Sequence, residues 1–126
     1  MFKRIDHVEI IPRDADITID FYTNILNFKV KERKQIDKLP MKEVIFLELN
    51  DTTIELVSVQ NPSPRSADPW QIGYRMFALE VEDMDEAIAY LKSKNVEISL
   101  EPVNLGKSKR AEIKDPDGLS IELRQW

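Results

Sequence analysis

The chain has 126 residues, no cysteine and one histidine. The lack of cysteine excludes disulfide frameworks, thiolate metal sites and a cysteine nucleophile. The single histidine excludes a site built from several imidazoles of one chain. Its length fits one compact domain or two small halves that share a core. The net charge of −5 disfavours nucleic-acid binding, and no apolar run is long enough to span a bilayer, so a cytoplasmic protein that binds neither is expected.

The first half of the chain predicts the order β-α-β-β-β. Alternating apolar and polar residues at 4–11 indicate a strand. A helix is predicted from apolar residues at steps of four, namely Ile17, Phe21 and Ile25. Its N-cap is either Asp14 or Asp16, and it ends at Asn27. Further strands are predicted at residues 28–34, 42–49 and 52–59.

The second half predicts the same order again. A strand at 73–82 precedes a D-x-x-E capping box, which is formed by Asp83 and Glu86 and opens a helix that stops at Asn95. Strands at 96–101, 109–114 and 119–125 follow. The halves are joined by residues 60–72, whose three prolines predict a stiff linker; a lid that contributes Trp70 to a cavity is the alternative.

Superposing the two halves pairs polar residues that share a place in the repeat. His7 aligns with Met76, and Glu55 aligns with Glu122. Strand alternation places His7 and Glu55 on otherwise partly apolar faces. A buried carboxylate requires a partner, which is either a metal ion or an arginine. An ion pair from Arg124 or Arg75 to Glu122 would make a structural role the better interpretation of that residue.

At this point the whole chain resembles the glyoxalase, bleomycin-resistance and extradiol-dioxygenase superfamily, and within it the glyoxalase I type. Five segments in a fixed order carry the resemblance: IDHVEIIPRD, DFYTNILNFKV, TTIELVS, ALEVEDMDEA and KDPDGLSIELRQ. The resemblance implies an α+β fold of two tandem βαβββ modules, here residues 1–59 and 73–126, whose mixed sheets curve into a cup.

The resemblance also implies a metal site. Its four ligand positions correspond to His7, Glu55, Met76 and Glu122, of which the histidine and the two glutamates suit divalent Zn, Ni, Co or Mn. Met76 stands where a second histidine is usual, and a methionine there is expected to form part of the cavity wall. Glu122, and after it Glu55, is the expected proton carrier.

Two functions follow as hypotheses. The first is a metal-dependent lyase or isomerase resembling lactoylglutathione lyase, which transfers a proton next to a polarised carbonyl. Ile11 stands where family members that use glutathione often have an arginine, so glutathione itself is not expected to be part of the substrate. The second is a metal-free small-molecule binding protein of the bleomycin-resistance type, which Met76 and several aromatic residues favour. An epimerase or a dioxygenase of the same fold is a related possibility, although dioxygenase sites require two histidines.

Two further expectations concern the ligand and the assembly. Lys107, in the basic loop 106–110, either contacts an anionic group of the substrate or is one of several solvated loop charges. Two similar halves with open sheet edges favour a homodimer. The cup then forms either within one chain or across two.

Overall fold

The computed structural model describes residues 1–126 as two compact units, Met1–Pro64 and Arg65–Trp126. The boundary between them falls inside the predicted linker 60–72. Each unit contains one four-stranded mixed sheet and one helical segment. The predicted α+β class with two modules of the same kind is therefore confirmed. No helix has the length and the apolar character that crossing a membrane requires.

The first unit has the topology βαβββ. Strands are ordered β1-β4-β3-β2, with β1 parallel to β4 and the other pairs antiparallel. A π-helical turn follows α1 directly. The elements are β1 (Val8–Ile10), α1 (Ala15–Asp20), the π-helical turn (Phe21–Ile25), β2 (Lys29–Lys38), β3 (Met41–Leu49) and β4 (Thr52–Val59).

The second unit repeats this topology. Strands are ordered β5-β8-β7-β6, and β5 is parallel to β8 as β1 is to β4. Its elements are β5 (Phe77–Glu80), α2 (Met84–Ser93), β6 (Ile98–Asn104), β7 (Lys109–Lys114) and β8 (Ser120–Gln125). The sequence repeat thus corresponds to a repeat of strand order and direction.

Side-chain caps and left-handed residues define the helix ends at the predicted places. The Asp14 carboxylate accepts bonds from the backbone N–H groups of Asp16 and Ile17, and Asp83 accepts one from Glu86, which satisfies donors that the first helical turn leaves unpaired. Asn27 and Asn95, with φ of 65° and 60°, follow the helices in the left-handed conformation that asparagine tolerates.

The structure differs from the predicted local structure at four strands and in the first helix. Strands β2 (Lys29–Lys38) and β6 (Ile98–Asn104) extend beyond the predicted 28–34 and 96–101. The strand predicted at 4–11 covers only Val8–Ile10, and that at 73–82 only Phe77–Glu80, because each is an edge strand that pairs with a single neighbour over three or four residues. The apolar stripe of the first helix is interrupted, since Ile17 is 57% exposed. The π-helical turn changes the angular spacing, so that consecutive Phe21 and Tyr22 are both buried.

The central strands present two different faces. Alternate residues of β7 and β8 form a fully apolar, buried face, made by Ala111, Ile113, Ile121 and Leu123. The opposite face of the same strands carries charged residues at the intervening positions. In β4 the equivalent arrangement buries Ile54 and Leu56 on one face and Glu55 and Val57 on the other. The functional candidates therefore lie on the sheet faces that contain charge.

Candidate functional site

Three side chains of the first unit converge at the pairing of β1 with β4. His7 immediately precedes β1, and the parallel register places Glu9 opposite Glu55. The Nε2 atom of His7 lies 3.2 Å from Oε2 of Glu55 and 3.9 Å from Oε1 of Glu9. Glu55 is buried, His7 is partly buried and Glu9 is exposed. The site is therefore a cluster at the β1–β4 pairing with one buried carboxylate.

The imidazole of His7 is oriented by contacts on its other side. Its Nδ1 lies 2.9 Å from Oδ2 of Asp6, a distance at which an Nδ1–H group donates to the carboxylate. The ring also packs edge-on against Phe46, with centroids 6.2 Å apart. This arrangement turns Nε2 towards Glu55, and a carboxylate behind a histidine is the usual support of a metal-binding imidazole.

The protonation of the cluster follows from its surroundings. Burial raises the pKa of Glu55 above its ordinary value, and the neighbouring Glu9 raises it further. The hydrogen bond to Asp6 raises the pKa of His7, and the charge of Glu55 adds to this effect. Both partners of the 3.2 Å contact therefore hold protons more tightly than they would in water. Metal binding replaces such protons by a cation.

The donor set fits a divalent metal ion. One ligand atom each from His7, Glu9 and Glu55 lies within 4.8 Å of the other two. One imidazole nitrogen and two carboxylate oxygens suit zinc, nickel, cobalt or manganese. Glu9 was not predicted to belong to the site. Its place on the same strand face as His7 was visible in the sequence, but its position opposite Glu55 depends on the register of the parallel strands.

Glu122, which the repeat matches to Glu55, has different partners in the second unit. Its Oε1 accepts a bond from Nε of Arg110 at 2.9 Å, and its Oε2 accepts bonds from Nε and Nη2 of Arg124 at 3.2 and 3.1 Å. Arg124 is one of the two arginines that the sequence named as structural partners. Arg110 comes from the adjacent strand β7 and was not named. The ion pairs favour a structural role for Glu122.

Met76, Trp70 and Lys107 also lie in the second unit. The sulfur of Met76 lies 3.8 Å from Nη1 of Arg75, and the guanidinium of Arg75 lies 4.5 Å from the centre of the Trp70 ring. Trp70 is 75% exposed, and Lys107 is exposed in its loop. Of the predicted site residues, the structure thus brings together His7 and Glu55, while Met76, Trp70 and Glu122 have arginine neighbours.

Comparison with known proteins assigns the family. A sequence model of the Glyoxalase/Bleomycin resistance protein/Dioxygenase superfamily matches residues 4–123, nearly the whole chain. The chain belongs to this superfamily. A relative of similar length, the uncharacterized protein YaeR of Escherichia coli, is 32% identical over 122 residues, which are 96% of this chain and 95% of YaeR.

Other members of the glyoxalase superfamily have names that state an activity. The lactoylglutathione lyase GLX1 of Arabidopsis thaliana is 27% identical over 98% of this chain, which spans only 44% of that enzyme. Among solved structures, a glyoxalase family protein from Enterococcus faecalis matches with a TM-score of 0.85 at 29% identity, covering 98% of both chains. Glyoxalase I of Leishmania major matches with a TM-score of 0.80 at 29% identity, covering 98% of this chain and 87% of that enzyme.

Proposed function

We propose that this glyoxalase superfamily protein is a divalent-metal-dependent lyase or isomerase of a small molecule. The observation that carries the proposal is the convergence of His7, Glu55 and Glu9, with Nε2 of His7 3.2 Å from the buried carboxylate of Glu55. His7 and Glu55 hold the ion in this proposal, and Glu9 is a further oxygen donor on the exposed side. Relatives named as lactoylglutathione lyases support the reaction class.

The chemistry divides between the ion and the side chains. A divalent ion would supply polarisation of a substrate carbonyl and so acidify the neighbouring C–H group. Asp6 holds the His7 ring in place, and in the metal-free protein burial raises the pKa of Glu55. Glu55 is the proposed proton carrier, because both carboxylate oxygens of Glu122 are bound by Arg110 and Arg124.

The role of Glu122 is tested by replacing it with glutamine. The matched control is Glu112→Gln, because Glu112 lies opposite Glu122 in the sheet and also pairs with Arg110. Because Glu122 belongs to an ion-pair network, Glu122→Gln is expected to change kcat only a few-fold, as Glu112→Gln does. A loss of about 10²–10⁴-fold in Glu122→Gln alone would instead make Glu122 the proton carrier. The measurement is turnover of the hemithioacetals that methylglyoxal forms with glutathione and with a simple thiol.

The outcomes assign Glu122 to one of two roles. Retained turnover in Glu122→Gln removes it as the proton carrier and leaves Glu55 in that role. A comparable loss of activity in both variants shows that the ion-pair network is needed for structure rather than for chemistry. Turnover with the simple thiol but not with glutathione would agree with Ile11 in place of an arginine.

A second candidate function is a metal-free small-molecule binding protein. The observation that favours it is that Glu122 is bound by two arginines, while the position that the repeat matches to His7 holds Met76, a weak ligand for these ions. Such a protein would bind its ligand without turnover. It would also bind no stoichiometric metal at His7 and Glu55, so metal binding separates the two candidates.

A further inference from the structure

The second unit contains a cavity that the proposed metal chemistry does not use. Its volume is about 280 Å³, and it lies between the segment that opens the unit and the turn joining β7 to β8. It borders Met76, the residue that the internal repeat matches to His7. The lining is mostly polar and includes Arg65, Ser66, Arg75, Lys114 and Ser120.

Three cations face this cavity in a chain of net charge −5. Lys114 donates from Nζ to Oγ of Ser120 at 2.7 Å, and neither Lys114 nor Arg65 has a carboxylate within ion-pair distance. Two carboxylates, Asp68 and Asp117, also line the cavity. The lining therefore keeps an excess of positive charge, and two of its cations lack an acidic partner.

Arg75 is held in place by weak contacts that leave its donors available. Its guanidinium stacks on Trp70 at 4.5 Å, and Nη1 lies 3.8 Å from the sulfur of Met76. The nearest carboxylate is that of Glu112, at 4.0 Å from Nη2, which is long for a charge-assisted hydrogen bond. Stacking on an aromatic ring orients a guanidinium without consuming its N–H groups.

Hydroxyl groups complete the arrangement. Oγ of Ser66 accepts a bond from the backbone of Asp68, and Oγ of Ser120 accepts the bond from Lys114. Because a hydroxyl both accepts and donates, each retains a hydrogen that can be donated to a ligand. The Oδ1 atom of Asp68 accepts a bond from the backbone N–H of Trp70, which ties this carboxylate to its own loop.

We propose that this cavity binds the oxyanion group, a carboxylate or a phosphate, of a small molecule. Arg65, Arg75 and Lys114 supply the charge, and Ser66 and Ser120 supply neutral donors. Guanidinium groups match the two-oxygen geometry of carboxylates and phosphates. A volume of about 280 Å³ is at the lower end of ligand pockets and fits a small metabolite. Binding here requires no metal ion at His7 and Glu55.

The test uses the full-length protein stripped of metal by a chelator, so that its result is independent of the proposed enzyme activity. Inorganic phosphate and malonate are titrated at constant ionic strength, and binding is followed by backbone amide shifts in NMR spectra. Saturable shifts are expected in residues 65–76 and 114–120. A preference for one of the two anions identifies the source of the oxyanion.

Variants localise the binding. Lys114→Gln and Arg65→Gln are each expected to weaken binding about tenfold, the loss typical of one charge-assisted hydrogen bond. Arg65 lies in a loop before the sheet, so its replacement leaves the strands intact. Lys34→Gln, on the exposed strand β2 of the first unit, removes one charge without touching the cavity and is expected to bind unchanged.

Four results would overturn the proposal. Shifts that do not saturate, or that weaken equally in Lys34→Gln and Lys114→Gln, would show only a response to overall charge. Shifts confined to residues 106–110 that disappear in Lys107→Gln would place the anion at the basic loop instead. Unchanged affinity in both Lys114→Gln and Arg65→Gln would exclude these cations as contacts.

Discussion

The contact between His7 and Glu55 is the smallest feature on which the proposed function depends. Two groups that each hold protons tightly lie 3.2 Å apart, one of them buried in the sheet. Burial and Glu9 raise the pKa of Glu55, and Asp6 and Glu55 raise that of His7. Without a metal ion, a proton between Nε2 and Oε2 satisfies both groups. A divalent cation would take the place of that proton.

The first prediction concerns the pH dependence of metal binding and of stability. Because the ligand form of His7 is neutral, nickel affinity is expected to fall as the pH falls through the folded pKa of His7, which lies above 6.5. In the metal-free protein the free energy of unfolding depends on pH in the opposite direction. The stabilisation that His7 contributes is complete below pH 6.5 and is lost as the pH rises through the folded pKa of His7.

These two curves are measured by nickel titration and by chemical unfolding over a range of pH. A nickel affinity that does not change between pH 6 and pH 8 would contradict the assignment of His7 as a ligand. His7→Gln is the control, since it removes the titrating imidazole and should flatten both curves.

The sequence located some of these residues and missed others for geometric reasons. The repeat paired His7 with Met76 and Glu55 with Glu122, because equivalent strands carry equivalent positions. Glu9 and Arg110 were missed as partners, since each reaches its glutamate only through strand pairing: Glu9 across the parallel β1–β4 pair and Arg110 across the antiparallel β7–β8 pair. A register between strands distant in sequence is not encoded in the spacing within either strand.

At the scale of single elements, local hydrogen bonds define where each helix begins. Asp14 and Asp83 occupy equivalent places in the two units and cap α1 and α2 in the same way. The preceding residues differ, yet both helices start one residue after an aspartate with extended backbone. These starts were predictable from sequence because an N-cap uses residues that are close in the chain.

The second prediction concerns the cap of α2. Asp83→Ala is expected to lower the free energy of unfolding by about 1 kcal/mol, because the backbone N–H of Glu86 loses its acceptor. Asp85→Ala is the matched control: Asp85 is an exposed acid in the same helical turn without a cap bond, so its loss should cost about 0.5 kcal/mol or less. Urea unfolding of both variants measures the difference, and equal losses would contradict the capping role.

Strand lengths and the π-helical turn were not predictable in the same way. The alternation at residues 4–11 and 73–82 continues beyond the paired residues, whereas the parallel pairing covers only Val8–Ile10 and Phe77–Glu80. Phe21 and Tyr22 are both buried where the helix becomes π-helical after Asp20, a local change that a spacing of four residues between apolar positions does not predict.

At the scale of the whole molecule, the chain consists of two units with the same strand order but different charge on equivalent faces. The first unit carries an acidic cluster around His7, whereas the second carries Arg75, Arg110 and Arg124 around Glu112 and Glu122. The two units share their strand order, and the residues on one sheet face differ in charge. The family and the topology were therefore predictable from the sequence, and the chemical difference between the faces became visible only in the contacts.

The third prediction is the oligomeric state. Edge strands in both sheets and exposed apolar residues before β1, namely Met1, Phe2 and Ile5, support the homodimer that the repeat predicts. Light scattering of the purified protein is expected to give twice the chain mass of 14.7 kDa. A mass equal to that of one chain at micromolar concentration would contradict the prediction. A cytoplasmic location likewise stays a prediction from sequence.

Nickel titration by calorimetry of the wild-type protein and of Glu55→Gln tests the central proposal most directly. One ion per chain is predicted for the wild type, with binding weakened at least about a hundredfold in Glu55→Gln, since a lost ligand costs no less than a lost supporting contact. Glu48→Gln, which removes a carboxylate from β3 outside the cluster, should bind like the wild type. Absence of saturable binding in the wild type, or equal binding by all three proteins, would contradict a metal site at His7 and Glu55 and favour the metal-free binding protein.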